Sequence, residues 1–248
     1  MSLLLDIKVK LAEVKKKNEV QKEYKEFVAQ ASKTNSRFDL DKRNNLYFIY
    51  DKTSTTPYER HYVYHPAWAA RVLARTKPDL HVDISSTIKF ATVVSAFIPT
   101  DYYDYRPANL HLSNLNSKAA DLLDLPFEDN SVASLSCMHT LEHVGLGRYG
   151  DDLDYDGDLK GMSELERVLA PGGDLLIVVP IGKPKLVFNA HRIYSYRQVL
   201  DQFSSLTLQE YALIPDHEKD GHLIINASEE MTNRQNWGCG CFWFKNKK

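Results

Sequence analysis

The chain has 248 residues, enough for one α/β domain with a full core and a modest extension, and too few for two independent enzyme domains. It is 43% hydrophobic and 26% charged, with a net charge of −2, so no overall basic field points to nucleic acid. There is no signal-peptide pattern and no apolar run near the roughly 18 residues a membrane span needs, and three cysteines make no disulfide framework. These features predict a soluble cytoplasmic protein with no membrane partner, and no metal or redox role is expected of Cys137, Cys239 and Cys241.

Residues 3–32 read as one helix without Gly or Pro, with Ile7, Leu11, Val14, Val20, Tyr24, Phe27 and Val28 at helical spacing. Residues 1–37 hold nine Lys/Arg against five Asp/Glu. The glutamates interrupting this basic face favour a solvated face on a helix packed against the main domain, or against a second copy in a homodimer. Residues 38–64 are aromatic and polar, and fit a lid or substrate-side segment. The chain is therefore divided into 1–64, an N-terminal helix and lid, and 65–248, an α/β domain.

"PAWAARVLART" predicts a helix with Pro66 in its first turn. From Pro78 onward, short apolar strands alternate with helical stretches. "LHVDIS" ends in Asp83 and precedes the helix-like "TIKFATVVSAF". "TDYYDYR" ends in Asp104. "SVASLSCM" is a buried strand, "DLKGMSELERVLA" a helix stopped by "PGG", and "DLLIVVP" an apolar strand. "SYRQVLDQF" is a helix, and "LTLQEYALI" and "GCGCFWFK" are closing strands. Such alternation predicts a doubly wound, mostly parallel sheet of seven strands with helices on both faces.

Two short motifs suggest metals. "HTLEH" reads H-x-x-E-H, and on a helix His139 and His143 would share a face, with Glu142 as general base and Glu218 or His222 as third ligand of a zinc hydrolase. It directly follows a strand and precedes the glycine-rich "VGLGRYGDD", a poor setting for a zinc helix. "DLDYDGD" resembles the start of a calcium loop, but places Lys160 ninth and Ser163 twelfth, where oxygen ligands are needed. No metal site is expected, and an acidic substrate-facing loop is.

"DLLDLPFEDNSVASLSCMHTLEHV" followed by "ELERVLAPGGDLLIVVP" resembles the second half of a class I S-adenosylmethionine-dependent methyltransferase domain. "HYVYHPAWAARVL", "HVDISS", "EHVGLGRYGDDLDYDGD" and "FNAHRIYS" look like a methyltransferase-like family catalogued as a domain of unknown function. The resemblance implies a Rossmann-like fold and S-adenosylmethionine as cofactor. It implies that Asp83, with Ser85 and Ser86 in the following loop, holds the methionine end, that Asp104 binds the ribose, that Asp121 and Leu122 border the adenine, and that Met138 and His139 lie along the methionine portion. Twenty-one residues separate Asp83 from Asp104, which suits a carboxylate accepting from both ribose hydroxyls.

The family's first loop is usually Asp-x-Gly-x-Gly, whereas this one is "DISS". That departure motivates the main alternative, a non-catalytic binding or scaffold protein on the same fold. The Asn/Asp-Pro-Pro-aromatic signature of amide and base N-methylation is absent, leaning toward a small oxygen-bearing acceptor. The catalytic candidates are His143, His139 and His191 as general bases, Asp151 as a carboxylate alternative, and Arg148 as a clamp for an anionic substrate group, unless it pairs with Asp151 or Asp152. Tyr62, Tyr64 and Trp68 either wall the acceptor pocket or belong to the core.

Overall fold

The structure is a computed structural model that describes residues 3–33 and 37–247. It divides into two compact units, Met1–Tyr58 and Glu59–Lys248. Among the described residues, the first holds α1 (Leu3–Ala31) and one 3-10 turn at Lys42–Asn44. Within this unit the Tyr24 hydroxyl donates to the Leu40 carbonyl at 3.2 Å.

The second unit begins with α2 (Arg60–Thr76), which starts earlier than Pro66 and spans the 64/65 boundary read from the sequence. Its buried residues, His61, His65, Trp68, Ala69, Val72 and Leu73, recur at helical spacing. Burial of that continuous face offsets the backbone hydrogen bond that Pro66 cannot donate inside the helix. The helix stops where Lys77 turns left-handed and its N–H reaches the Leu73 carbonyl at 2.8 Å, just before Pro78.

The strands are β1 (His81–Ile84), β2 (Thr100–Asp104), β3 (Leu115–Ala119), β4 (Val132–Met138) and β5 (Leu169–Ile181). They are followed by β6 (Lys185–Val187), β7 (His191–Ile193), β8 (Thr207–Ile214), β9 (Ile224–Ile225) and β10 (Gly238–Lys245). The helices among them are α3 (Ile88–Val94), α4 (Gly157–Val168), α5 (Tyr196–Gln202) and α6 (Glu229–Asn233). The main sheet runs β3-β2-β1-β4-β5-β10-β8-β9. The strands β3 to β5 pair in parallel, whereas β10 is antiparallel to both β5 and β8. The expected doubly wound, mostly parallel sheet is present, with eight strands instead of seven because the two-residue β9 adds an edge. Strands β6 and β7 form a separate hairpin.

Strand β5 shows why an uninterrupted apolar run was needed. Leu175, Ile177, Val179 and Ile181 enter a core with Leu135, Leu165 and Phe242, while Leu176 and Val178 enter another with Trp68, Leu73 and Cys241. Alternate side chains therefore fill two cores on opposite faces of one sheet. "PGG" does not cap α4 as the sequence suggested. The helix ends at Val168, Leu169 is already extended, and Pro171–Gly173 lie in the irregular start of β5, where the register with β4 shifts. Gly172, at φ +72°, supplies a turn that other residues adopt at a cost.

Candidate functional site

The sheet order reverses between β1 and β4, and a doubly wound sheet opens a crevice at such a point beyond the carboxyl ends of its strands. A cleft of about 480 Å³ lies there, within the size range of small-molecule sites. Ser85, Asp104, Asp121, Leu122, His139, His143 and Asp151 all line it. Asp83, Ser86, Met138, Arg148 and His191 do not form its wall.

Asp83 lies beneath the surface, fully buried. Ser136 donates to its Oδ1, whereas its Oδ2 has no hydrogen-bond partner. Ser136 in turn sits 2.9 Å from His81 Nε2, and His81 Nδ1 lies 2.8 Å from the Ser134 hydroxyl. Because Ser136 gives its proton to the carboxyl, Nε2 is the protonated nitrogen of His81, and Ser134 donates to Nδ1. Burial pushes the Asp83 carboxyl up to about 7, against the hydrogen bond from Ser136 and the polar influence of the nearby Ser86 hydroxyl, and Asp104 nearby adds repulsion. The same burial holds His81 neutral, down to about 3. Asp83 is thus a half-satisfied carboxyl directly under the first loop.

That loop answers the question raised by its missing glycines. Ser85 adopts φ +55°, the left-handed region that glycine normally fills. Its N–H donates to the Tyr103 carbonyl at 2.7 Å, and its hydroxyl to the same oxygen at 3.3 Å. Ser86 receives the Met138 N–H at 3.0 Å, tying the loop to the end of β4. The turn is made despite the side chain. Ser85→Gly is therefore expected to stabilise the protein by about 0.5–1 kcal/mol, measured by urea denaturation. A destabilisation would mean that the Ser85 hydroxyl contributes more than the strain it sits on.

Asp104 ends β2. Its Oδ1 accepts from the Arg106 N–H at 2.8 Å and its Oδ2 from the Tyr102 hydroxyl at 3.0 Å, which leaves one lone pair on each oxygen. Asp121 accepts from Leu123 N–H at 2.9 Å, shaping the turn that presents Leu122 and Leu123 to the cleft.

"HTLEH" does not form a zinc helix. His139 is left-handed at φ +57° and only Leu141–His143 make a 3-10 turn. His139 places Nδ1 2.8 Å from Glu142 and Nε2 3.5 Å from the Cys239 sulfur. His143 points elsewhere, with Nδ1 2.6 Å from the Ala190 carbonyl, and His222 bonds Tyr64 at 3.1 Å. The two histidines of the motif do not stand one turn apart on a helix, and their ring nitrogens at Nδ1 are taken by Glu142 and by the Ala190 carbonyl, so the hydrolase reading finds no support here. In the calcium-like loop, Lys160 donates to Asp154 at 2.6 Å, a cation at the ninth position of that pattern.

Because His143 Nδ1 donates to a carbonyl, its Nε2 carries the lone pair, 3.8 Å from Glu142 Oε1. Burial lowers the pKa of this half-buried ring, opposed by Glu142. Asp151 accepts backbone N–H groups from Gly145 (2.8 Å), Gly147 (3.3 Å) and Tyr149 (3.1 Å). Its partial burial acts to raise the pKa, but these bonds outweigh it and hold the carboxylate below its usual range. Asp151 is accordingly committed to organising the 145–151 turn. Arg148 makes neither salt bridge considered for it; it donates to Ala190 O at 3.0 Å. His191 stacks on Trp237 at 5.6 Å. Trp68 is a core residue that donates to Glu210 at 2.8 Å, and Tyr62 stacks on His139.

Sequence reasoning missed several contributors. Arg106 and Tyr149 both line the cleft, the guanidinium lying 4.6 Å above the phenol ring. Arg192, almost buried, donates to the carbonyls of Val144 (2.6 Å) and Tyr155 (2.9 Å) and lies 3.3 Å from Asp158. It clamps both ends of the acidic loop that forms one wall. "NAHR" was a signal, but the arginine, not the histidine, carries the weight.

Solved structures share this architecture. A Burkholderia thailandensis 1,6-didemethyltoxoflavin-N1-methyltransferase with bound S-adenosylhomocysteine aligns at 10% identity with a TM-score of 0.54, over 75% of this chain and 79% of that one. A geranyl diphosphate methyltransferase in complex with SAM aligns at 15% identity and TM-score 0.51, over 73% and 85%. A Bacillus halodurans protein provisionally described as a methyltransferase aligns at 13% identity and TM-score 0.52, over 74% and 99%. The chain has the class I methyltransferase fold. At these identities the fold is what is shared. The family described as "Caenorhabditis protein of unknown function, DUF268" matches residues 120–211, the stretch that supplies the later part of this fold, and no curated protein matches the sequence. Among the described residues no helix is long and apolar enough to cross a membrane.

Proposed function

We propose that this protein is an S-adenosylmethionine-dependent methyltransferase acting on a small acceptor, at oxygen. The observation that carries the reading is the half-satisfied Asp83 carboxyl under a cleft that Asp104 and Asp121 also border. Such a cradle fits the cofactor by its chemistry. Asp104 keeps lone pairs for two ribose hydroxyls, Leu122 and Leu123 offer an apolar surface to the adenine, and Asp83 answers the cationic methionine end directly or through water. The cofactor supplies an electrophilic methyl group when bound. The chain's own part is to orient the acceptor in line with that methyl and to take its proton. His143 Nε2 is the base in this reading, with Glu142 close enough to stabilise the imidazolium. His139 is occupied by Glu142 and Cys239, and Asp151 by backbone amides, so neither serves. Arg106 at the cleft wall, rather than Arg148, suits an anionic group on the acceptor.

Calorimetric titration with S-adenosylhomocysteine tests the cofactor site. Asp104→Ala is expected to weaken binding by about 1–3 kcal/mol, the cost of lost charge-assisted hydrogen bonds. Unchanged affinity would remove Asp104 from the site, and absence of binding to the wild type would favour the scaffold alternative.

A further inference from the structure

Beyond the cleft, helix α2, the end of β4 and strand β10 bring His61, His139 and Cys239 together. One ligand atom of each lies within 4.8 Å of the others. His139 Nε2 stands 3.5 Å from Cys239 Sγ. A tetrahedral zinc ion with Zn–N about 2.0–2.1 Å and Zn–S about 2.3 Å separates its nitrogen and sulfur ligands by roughly 3.5 Å, the same spacing. The other nitrogen of His139 is held by Glu142 at 2.8 Å, the carboxylate–histidine arrangement that orients metal-binding imidazoles. His61 stacks nearly parallel to His139, with ring centroids 5.7 Å apart.

A second observation points the same way. His65, four residues after His61 on the same helix, is fully buried beside the trio, its ring centroid 5.0 Å from that of His139. Its Nδ1 donates to the His61 carbonyl at 2.7 Å, which makes Nε2 the lone-pair nitrogen, and that atom has no partner. Glu142 Oε2 is also buried and unpartnered. Three imidazoles, a thiol and a carboxyl gathered with polar atoms left unsatisfied are costly unless something joins them.

We propose that His61, His139 and Cys239 form a binding site for a borderline-soft divalent cation of the zinc class, with Glu142 as the outer support of His139 and His65 adjoining the open coordination position. Nitrogen and sulfur donors exclude calcium and magnesium. Cys239 coordinates as the thiolate, its proton passing to solvent. The ion would join three segments remote in sequence and fix the β4 terminus that borders the cleft. The site is separate from the hydrolase suggested by "HTLEH": His143 takes no part, and two of the three ligands lie outside that motif.

Full-length protein freed of metal by chelator dialysis would be titrated with Zn²⁺ and, as a spectroscopic probe, Co²⁺. One equivalent should bind, and cobalt should give the near-ultraviolet charge-transfer band of a thiolate ligand. Cys239→Ser should abolish that band, and Glu142→Gln should weaken binding about 10- to 100-fold. The exposed-histidine control His222→Ala should do neither. His61→Gln provides a second ligand deletion if Cys239→Ser does not fold, and should also lower zinc affinity. A folded wild-type chain that binds no stoichiometric zinc, or a cobalt spectrum unchanged in both ligand variants, would overturn the proposal. Neither result depends on S-adenosylhomocysteine binding, so the metal site and the methyltransferase reading fail separately.

Discussion

Asp83→Asn is expected to make the protein more stable at pH 8 and to abolish most of its affinity for S-adenosylhomocysteine. The folded-state pKa of Asp83 is raised from 3.8 to about 7. A carboxyl raised in this way favours the fold while it is protonated. Its contribution is complete below pH 4 and is lost progressively as pH rises through 7. Asparagine resembles the protonated form, so the variant escapes that loss. It retains an acceptor for the Ser136 hydroxyl but places an unpaired amide N–H where Oδ2 lay. Setting these against each other, a gain of about 1–3 kcal/mol at pH 8 is expected, shrinking to nothing or reversing at pH 5. Urea denaturation at the two pH values checks the sign. A stability difference independent of pH would show that the wild-type carboxylate is not strained. Ligand binding should move oppositely. A cationic group above Asp83 prefers the ionised form, so wild-type affinity should rise between pH 6 and pH 8, and the variant should lose that dependence.

Arg192→Met should destabilise the protein by about 3–5 kcal/mol, the usual cost of breaking a buried ion pair from one side. The substitution keeps most of the side-chain volume but leaves Asp158 without its cationic partner, beside the Tyr194 hydroxyl 2.8 Å away. It also orphans the Val144 and Tyr155 carbonyls. The effect should be concentrated in the loop between them. Gly145 there, at φ +77°, allows no side chain, since an added Cβ would stand 2.0 Å from the Asp154 carbonyl oxygen. Hydrogen exchange should therefore accelerate most across residues 144–156. Uniform acceleration over the whole sheet would mean that Arg192 supports the core and not the cleft wall.

The strand-end aspartates were legible because apolar runs followed by an acidic residue mark the carboxyl edge of a parallel sheet. Asp104 ends β2 as that pattern put it, whereas Asp83 falls one residue inside β1 and is buried. Strand β5 was equally clear, being buried on both faces. Strand β3, "LNSKA", was not read at all, because as an outer strand only Leu115 is buried and no alternation marks it. The Ser134–His81–Ser136–Asp83 chain was invisible for a different reason: its members are small or singly placed, and only strand pairing brings β1 against β4. "HTLEH" misled because spacing alone assumes a helix, whereas the left-handed His139 sends its ring toward residues 61 and 239.

The turn at Ser85 bears on how relatives of this protein are found. A search pattern written around glycines tests for a residue type, yet what this loop at the cleft requires is a backbone shape, and here serine holds that shape. Sequences with small polar residues after the first strand would be discarded by such a pattern while keeping the same path of the chain. Sorting candidates by the dihedral angles of this loop in their structures, instead of by its letters, would gather a wider set. It would also ask of each how the strain of a side chain in this turn balances against the smaller set of unfolded shapes that serine samples relative to glycine.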